Sequence, residues 1–329
     1  MTSSGSQETP RAQTRYTDSP LFTASVADAH RAALRSIARV VEDTAEPQSA
    51  ETAREGILDL LRAGDVLCVT GAGVSTASGI PDYRGPRGSL HRHRPMTYQE
   101  FQHDAGARQR YWARSFVGWR RMRGAAPNPA HHLLADWQRR GVLSTLVTQN
   151  VDGLHRAAGS EPLVALHGDL DRVICLDCGC TEDRSGLDQR LEEANPGYAE
   201  QASAAAENVN PDGDVELDET WVARFRMVPC LVCGSLRLKP DVVYFGEGVP
   251  PERKAAVEEA VAAASSLLVV GSSMAVMSGF RIALQMGRAS KPIGIINGGP
   301  SRADAKAQWR WRSDIIESLE TLESRLTSG

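Results

Sequence analysis

The sequence predicts an α/β protein in which a doubly wound parallel sheet carries a smaller inserted domain, and three observations point there. Short apolar runs alternate with stretches of helical periodicity, the pattern of strand–helix–strand units. Four of these runs end in Gly-, Ser- or Asn-rich turns, at Gly71, Gln149, Gly271 and Asn297. A region bounded by two Cys-x2-Cys pairs, from Cys175 to Cys233, then interrupts the alternation. In an open α/β sheet the carboxyl ends of the strands line one crevice, so the four polar turns should converge on a single ligand.

Residues 1 to about 20 are rich in Ser, Thr, Pro and Gln and are expected to be unstructured. Val26 to Val41 reads as an amphipathic helix with Ala29, Ala33, Ile37 and Val40 or Val41 on one face. Glu46 to Ser49 looks like a linker and cap for a helix over Ala50 to Arg62, which Gly64 ends. Asp65 to Thr70 is a buried parallel strand, and behind it stand Gly71, Ala72, Gly73, Val74 and Ser75. Two glycines followed by small hydroxyl residues that can open a helix place unpaired backbone N–H groups at a phosphate. The loop is not a dehydrogenase fingerprint. That pattern wants a third glycine where Thr76 stands, and an acid about twenty residues on, where His91, Arg92 and His93 stand.

Gly85 to Asn128, rich in Arg and aromatic residues, reads as a helical insertion over the active face. A helix at Ala130 to Arg140 and a strand at Leu143 to Thr148 lead into Gln149-Asn150-Val151-Asp152-Gly153. Leu163 to Leu166 ends at His167-Gly168. Glu192 to Glu219 is acidic and polar and is expected to add little to any core. Alternation resumes at Asp241 to Phe245, with a helix from Pro251. Leu267 to Val270 then runs into Gly271-Ser272-Ser273. A helix near Gly279 to Ala289 and a strand at Pro292 to Ile296, ending at Asn297-Gly298-Gly299, follow. The resulting division is an N-terminal extension at 1–45, a discontinuous Rossmann-like domain at 46–170 and 239–329, a helical insertion at 86–128 and a small metal-bearing domain at 171–238.

Composition excludes several classes. The 329 residues are 41% hydrophobic and 24% charged, as in a soluble globular protein. A net charge of -4 and a pI near 6.1 give no general attraction to nucleic acid or an anionic membrane, and neither is expected as a partner. No run reaches the roughly 18 apolar residues that span a bilayer, and no signal-peptide core is visible. Arg11, Arg15, Arg31 and Arg35 resemble a transit peptide, but Glu8, Asp18 and Asp28 argue against one. The only lysines are Lys239, Lys254, Lys291 and Lys306, an arginine bias read as genomic base composition. A bacterial cytoplasm is the expected location, or the mitochondrial matrix if the chain is eukaryotic. Oligomeric state is not legible.

Cys175, Cys178, Cys230 and Cys233 have the spacing of two zinc knuckles. Four thiolates close a tetrahedral Zn2+ and leave no open position, so the ion would be structural. The competing readings are a redox dithiol or Cys180 as a substitute ligand. Cys68, within an apolar strand, reads as a buried small residue. His167 is the candidate general base, because it stands where a strand meets the crevice beside a glycine. The other histidines, including His131, His132 and His155, are expected to be structural or exposed. Gln149, Asn150 and Asp152 suit hydrogen bonds to ribose hydroxyls or a carboxamide, although such turns are often only turns.

With these pieces assembled, the sequence resembles the sirtuins. The residues that carry the likeness are Gly71 to Ser75, Gly79 to Arg84, Thr148 to His155, His167-Gly168, the four cysteines, Lys239 to Glu247, Gly271 to Ser273 and Asn297. Finer features, among them Gln109 to Trp119, Pro127 to His131 and Pro211 to Val215, resemble the class II branch with its mitochondrial lipoamidase/ADP-ribosyltransferase type. The resemblance implies an enzyme that consumes NAD+ to remove an acyl group from lysine of a protein or peptide, releasing nicotinamide and O-acyl-ADP-ribose. It implies that the acyl oxygen attacks the ribose C1′, with Asn150 at the nicotinamide ribose and His167 as base on a ribose hydroxyl. Gly71, Ala72, Gly73 and Ser75 would hold the pyrophosphate, and Val151 and Asp152 the carboxamide. Asp82, Tyr83 and Arg84 would form a flap over the reacting ribose. Gly271, Ser272, Ser273, Asn297, Gly298, Gly299 and Ser313 would line the adenosine side, with Gln149 nearby. Val243 to Glu247, including Phe245 and Gly246, would pair with the substrate backbone as an added strand. Tyr111 and Arg114 match the Tyr-x-x-Arg spacing that holds an acyl carboxylate in some sirtuins, but the residues around them match the other branch. The role is not transferred. Mono-ADP-ribosyl transfer to protein and a non-catalytic NAD+ or ADP-ribose module are the competing functions.

Overall fold

The computed structural model describes residues 23–86, 88–204 and 209–328. The stretch expected to be unstructured at 1 to about 20 lies outside the described residues. The strands are β1 (Val66–Thr70), β2 (Leu143–Thr148), β3 (Leu163–Ala165), β4 (Gly168–Cys175), β5 (Thr181–Asp183), β6 (Leu238–Val242), β7 (Ser266–Val270), β8 (Ile293–Ile296) and β9 (Trp309–Trp311). Helices α1 (Ala24–Ile37), α2 (Ala50–Ala63), α3 (Tyr98–His103), α4 (Ala105–Met122), α5 (Pro129–Arg139) and α6 (Leu154–Ala157) belong to the first half. Helices α7 (Arg184–Ala194), α8 (Tyr198–Ser203), α9 (Glu219–Arg224), α10 (Pro251–Ala263), α11 (Met277–Arg288) and α12 (Ile315–Thr327) follow.

Six strands form an all-parallel sheet in the order β3-β2-β1-β7-β8-β9. The order reverses between β1 and β7, which is where a doubly wound sheet opens its ligand crevice. β1 explains its own unbroken apolar run. Val66 and Cys68 pack under Ile57 and Leu61 of α2 and Leu134 of α5, while Leu67 and Val69 pack on Val257 of α10 and Ile282 of α11. All four strand residues are 0% exposed, as a strand covered on both faces requires.

A second sheet, β5-β4-β6, is antiparallel and continues directly from β3 through His167. The strand expected at Asp241 to Phe245 is displaced to Leu238–Val242 and belongs to this small sheet rather than to the parallel one. The chain leaves the ladder at Val243, whose N–H donates to the His167 carbonyl at 2.7 Å, and turns at Tyr244, whose carbonyl accepts from Glu247 N at 2.9 Å.

The expectation that Glu192 to Glu219 adds little to a core is wrong. Tyr198, Ala199, Ala202, Val215 and Leu217 are buried in one cluster with Trp112, Phe116 and Trp119 of α4. Tyr198 stacks near Phe225 at 5.2 Å, and Phe225 meets Phe116 at 5.6 Å. A few anchors suffice because α4 buries ten of its eighteen residues and receives them. At its centre Arg184, 1% exposed, lies over the rings of Trp119 at 4.6 Å and Trp112 at 5.2 Å, with Asp188 at 3.4 Å as counter-ion.

Helix α1 ends at Ile37, short of Val41, and buries His30, Ala33 and Ile37 rather than Val40, which is 80% exposed.

Candidate active site

The carboxyl ends of β1, β2, β7 and β8 meet, as the four polar turns predict. The β1 loop is two 3-10 turns, Ala72–Val74 and Thr76–Ser78, and not the start of an α-helix. Its amides are largely turned inward: Gly73 N donates to Gly271 O at 2.9 Å, Val74 N to Gly71 O at 3.1 Å and Ser75 N to Ala72 O at 3.1 Å. The expected row of unpaired N–H groups is therefore reduced, because the tighter i to i+3 turns consume them. Glycine is needed here for proximity. A Cβ on Gly71 would stand 2.7 Å from Ser272 Cβ, and one on Gly73 would stand 2.9 Å from the Gly271 carbonyl. Gly271 itself adopts φ +62°, and a Cβ there would meet Val74 N at 2.7 Å. The crossing of these two loops closes the floor of the crevice.

Side chains from β2 tie the loops together. Gln149 Nε2 donates to Ser272 Oγ at 2.6 Å, and the same oxygen accepts from Met274 N at 3.1 Å. Asn150 Nδ2 donates to the Gly71 carbonyl at 3.1 Å and to Ser75 Oγ at 3.0 Å. The Ser75 hydroxyl donates in turn to Asp152 Oδ2 at 2.7 Å. Burial raises the Asp152 carboxyl above its ordinary range, against the Ser75 and Leu154 hydrogen bonds that lower it. The Val151 carbonyl accepts from Leu170 N at 3.1 Å. On the far side, Asn297 N donates to Trp311 O at 3.1 Å and Asn297 Nδ2 to Gly299 O at 2.7 Å. Gly298 lies against the Ser313 backbone, and the Ser273 carbonyl accepts from Arg302 N at 2.8 Å.

His167 sits at the end of β3, facing this crevice. Its Nδ1 is 2.9 Å from the Gln149 carbonyl, which can only accept, so Nδ1 carries the hydrogen. Nε2 is left with its lone pair and receives the Ser278 hydroxyl at 2.7 Å. Burial pushes the imidazole down to about 4; the Gln149 carbonyl raises it and Arg253 lowers it further. The ring is neutral near pH 7 and presents a proton-accepting nitrogen. Beneath the β1 loop, His155 Nε2 meets Thr70 Oγ1 at 2.9 Å, and its ring lies 4.7 Å from that of His131. Both are buried, while His132 is exposed.

The stretches expected to act as flap and substrate segment face each other, with the rings of Tyr83 and Phe245 edge-on at 6.4 Å. Asp82 turns back on its own loop, where Oδ1 accepts from Gly85 N at 3.1 Å. Arg84 reaches away from the β1 loop to the carbonyls of Ser36 and Ile37, at 3.3 and 3.4 Å. Glu247 is fixed by Tyr244 N at 2.9 Å and by the ammonium of Lys239, 3% exposed, at 3.0 Å. A cavity of about 60 Å³ opens between His93, Tyr111, Arg114, Asp212, Asp214 and Tyr244. Tyr111 and Arg114 therefore face a cavity, but three carboxylates, those of Glu100, Asp212 and Asp214, share it.

Cys175, Cys178, Cys230 and Cys233 come together with all sulfurs within 4.8 Å. Cys175 and Cys233 are 3.6 Å apart and Cys178 and Cys230 are 3.8 Å apart. A zinc tetrahedron with Zn–S bonds of about 2.3 Å has edges of about 3.8 Å, so the donor set fits the ion. Cys180 lies closer than that edge to two of the four, 3.2 Å from Cys178 and 3.3 Å from Cys230, and flanks the set.

Sequence reasoning missed Ser278, the partner of His167 Nε2. A serine in the first turn of α11 gives no periodic or spacing signal.

A family model described as the Sir2 family matches residues 71–278. The NAD-dependent protein deacetylase 1 of Corynebacterium efficiens is 59% identical over 270 residues, which cover 82% of this chain and 96% of that protein. The human mitochondrial NAD-dependent protein lipoamidase sirtuin-4 is 46% identical over 261 residues, covering 78% of this chain and 82% of that protein. A solved structure of Sir2 with a p53 peptide and NAD+ superposes with a TM-score of 0.66 at 27% identity, over 84% of this chain and 99% of that one. The chain belongs to the Sir2 family.

Proposed function

We propose that the chain is an NAD-dependent protein-lysine deacylase, transferring the acyl group from lysine to ADP-ribose with release of nicotinamide. The observation that carries the reading is the imidazole of His167. Its proton is fixed on Nδ1 by the Gln149 carbonyl, and its Nε2, which accepts from the Ser278 hydroxyl at 2.7 Å, lies beside the loops that follow β1, β2 and β7. That arrangement suits a base that accepts a proton from a ribose hydroxyl at Nε2, after the Ser278 hydroxyl gives way. Asn150, oriented by Gly71 and Ser75, is read as the group at the nicotinamide ribose, and Val151 and Asp152 as the carboxamide contacts. Gly71, Ala72, Gly73 and Ser75 would take the pyrophosphate. Ser272, Ser273, Asn297, Gly298, Gly299 and Ser313 would line the adenosine side, and Tyr83 would cover the ribose.

Val243 to Glu247 leaves β6 at the crevice and is read as the segment that a substrate backbone joins; the Lys239–Glu247 pair holds its far end. The four cysteines are read as one structural zinc site, and residues 46–170 with 239–329 as the NAD-binding domain around the inserted 86–128 and 171–238. A cytoplasmic location is supported by relatives from bacteria, Corynebacterium efficiens and Streptomyces coelicolor. Among the described residues no helix is long and apolar enough to cross a membrane.

The test is a panel of acetyl-, succinyl-, lipoyl- and long-chain acyl-lysine peptides, each incubated with NAD+ and scored for nicotinamide and O-acyl-ADP-ribose. Release with at least one peptide supports the reading. Radiolabel from NAD+ retained on protein, with no O-acyl-ADP-ribose, would transfer the assignment to mono-ADP-ribosylation.

A further inference from the structure

Helix α1 precedes both the matched family residues and the stretch on which the sequence resemblance rests. It nevertheless touches two parts of the site. At its C-terminal end the Arg84 guanidinium donates to the carbonyls of Ser36 at 3.3 Å, Ile37 at 3.4 Å and Arg39 at 3.4 Å. The first two are carbonyls that the end of a helix leaves without partners, at the negative pole of its dipole, so a cation is favoured there. Arg84 follows Tyr83 directly, and the placement of the flap is thereby tied to α1.

The other contact runs to the substrate segment. Ala33, 2% exposed, lies against Gly246: a Cβ on that glycine would come within 2.9 Å of Ala33 Cβ. One turn earlier, His30 Nδ1 meets Thr97 Oγ1 at 3.0 Å. The Thr97 hydroxyl donates to Glu100 Oε2 at 3.0 Å, so it accepts from His30. Thr97 forms a bridge with Phe245, and Tyr98 N donates to the Phe245 carbonyl at 2.9 Å. One short helix therefore holds the flap through Arg84 and the substrate segment through Ala33 and His30, on either side of the Tyr83–Phe245 contact.

We propose that α1 is a positioning element that sets the flap and the substrate segment relative to each other, and so controls the apparent affinity for NAD+ and acyl-peptide. The proposal rests on the deacylase reading. A small residue is required at position 33, since a bulky side chain would strike the Gly246 backbone and lift the helix off both contacts.

The test uses the full chain carrying Ala33→Trp, and separately His30→Ala, which removes the link to Thr97. NAD+ affinity is measured by equilibrium titration, which needs no turnover, and steady-state kinetics follow with the best acyl-peptide. Ala33→Trp should weaken NAD+ binding and raise the peptide KM by roughly five- to twenty-fold, with kcat at saturation changed less than about two-fold. His30→Ala should raise the peptide KM by roughly two- to five-fold and leave NAD+ affinity nearly unchanged. A purely structural helix would instead lower the melting temperature and the active fraction with both KM values intact, and that result overturns the proposal. If Ala33→Trp does not fold, an unchanged peptide KM in His30→Ala overturns it alone. A parent chain that binds NAD+ but turns over no acyl-peptide, while Ala33→Trp binds NAD+ more weakly, would overturn the deacylase reading and leave the brace standing.

Discussion

The paired histidines beneath the β1 loop set a pH dependence of stability that can be worked out from their burial. His131 and His155 are 0% and 1% exposed. Burial pushes His131 down to about 4 and His155 down to about 3, from an ordinary value of 6.5, with His132 lowering the first a little further and His131 the second. Both rings are thus neutral in the fold at about pH 5, where the unfolded chain would protonate them. A histidine whose folded pKa is depressed contributes stability that is complete above the unfolded value and is lost as pH falls from there toward the folded value. About pH 5 lies roughly 1.5 units below the unfolded value, and each unit is worth about 1.36 kcal/mol, so each ring costs about 2 kcal/mol and the pair about 4 kcal/mol. Against a total of about 5–15 kcal/mol this is a large share.

Asp152 works in the opposite direction, since burial raises its carboxyl and the fold gains stability from its proton as pH falls. The raw slope is therefore a poor measure, and the comparison with variants is the useful one. Urea unfolding of the parent, His131→Gln and His155→Gln at about pH 7.5 and about pH 5 gives the difference. Each variant should lose about 2 kcal/mol less than the parent between the two conditions. A variant whose loss equals the parent's would refute the neutral, buried assignment of that ring.

Three further outcomes follow from the site. His167→Ala should keep NAD+ affinity within a few-fold while turnover falls by about 10²–10⁴; loss of NAD+ binding in a folded variant would remove the base assignment. Ser278→Ala removes a donor to the neutral form of His167, so the acid limb of the kcat/KM profile should move up in pH by less than about one unit. A downward shift would mean that Ser278 accepts rather than donates. Cys175→Ser should strip zinc and expose residues 171–238 to proteolysis, since the ion contributes on the order of 10 kcal/mol to local folding. Unchanged zinc content with unchanged protection would exclude Cys175 as a ligand.

What could be read in advance depended on whether a residue's surroundings repeat along the chain. β1, β7 and β8 were legible because a strand covered on both faces must be a continuous apolar run between turns. β9 was not, because Trp309, Arg310 and Trp311 form a three-residue edge with one charged member, a pattern no different from a loop. Glu192 to Glu219 failed for a related reason. Its burial comes from isolated anchors such as Tyr198 and Leu217, whose partners lie on α4 far away in sequence. The same limit applies within the site. His167 could be picked out because it ends a strand and precedes a glycine, both of which are local facts. Ser278, 111 residues away, could not, because its relevance is a direction in space. Arg84 shows the consequence most sharply. Its identity and spacing predict a place in a ligand-binding turn, and its guanidinium closes the C-terminus of α1, 47 residues earlier. Motif spacing constrains where a backbone goes. Which way a long cation points is decided by the nearest unsatisfied acceptors, and here an extension outside the motif supplies them.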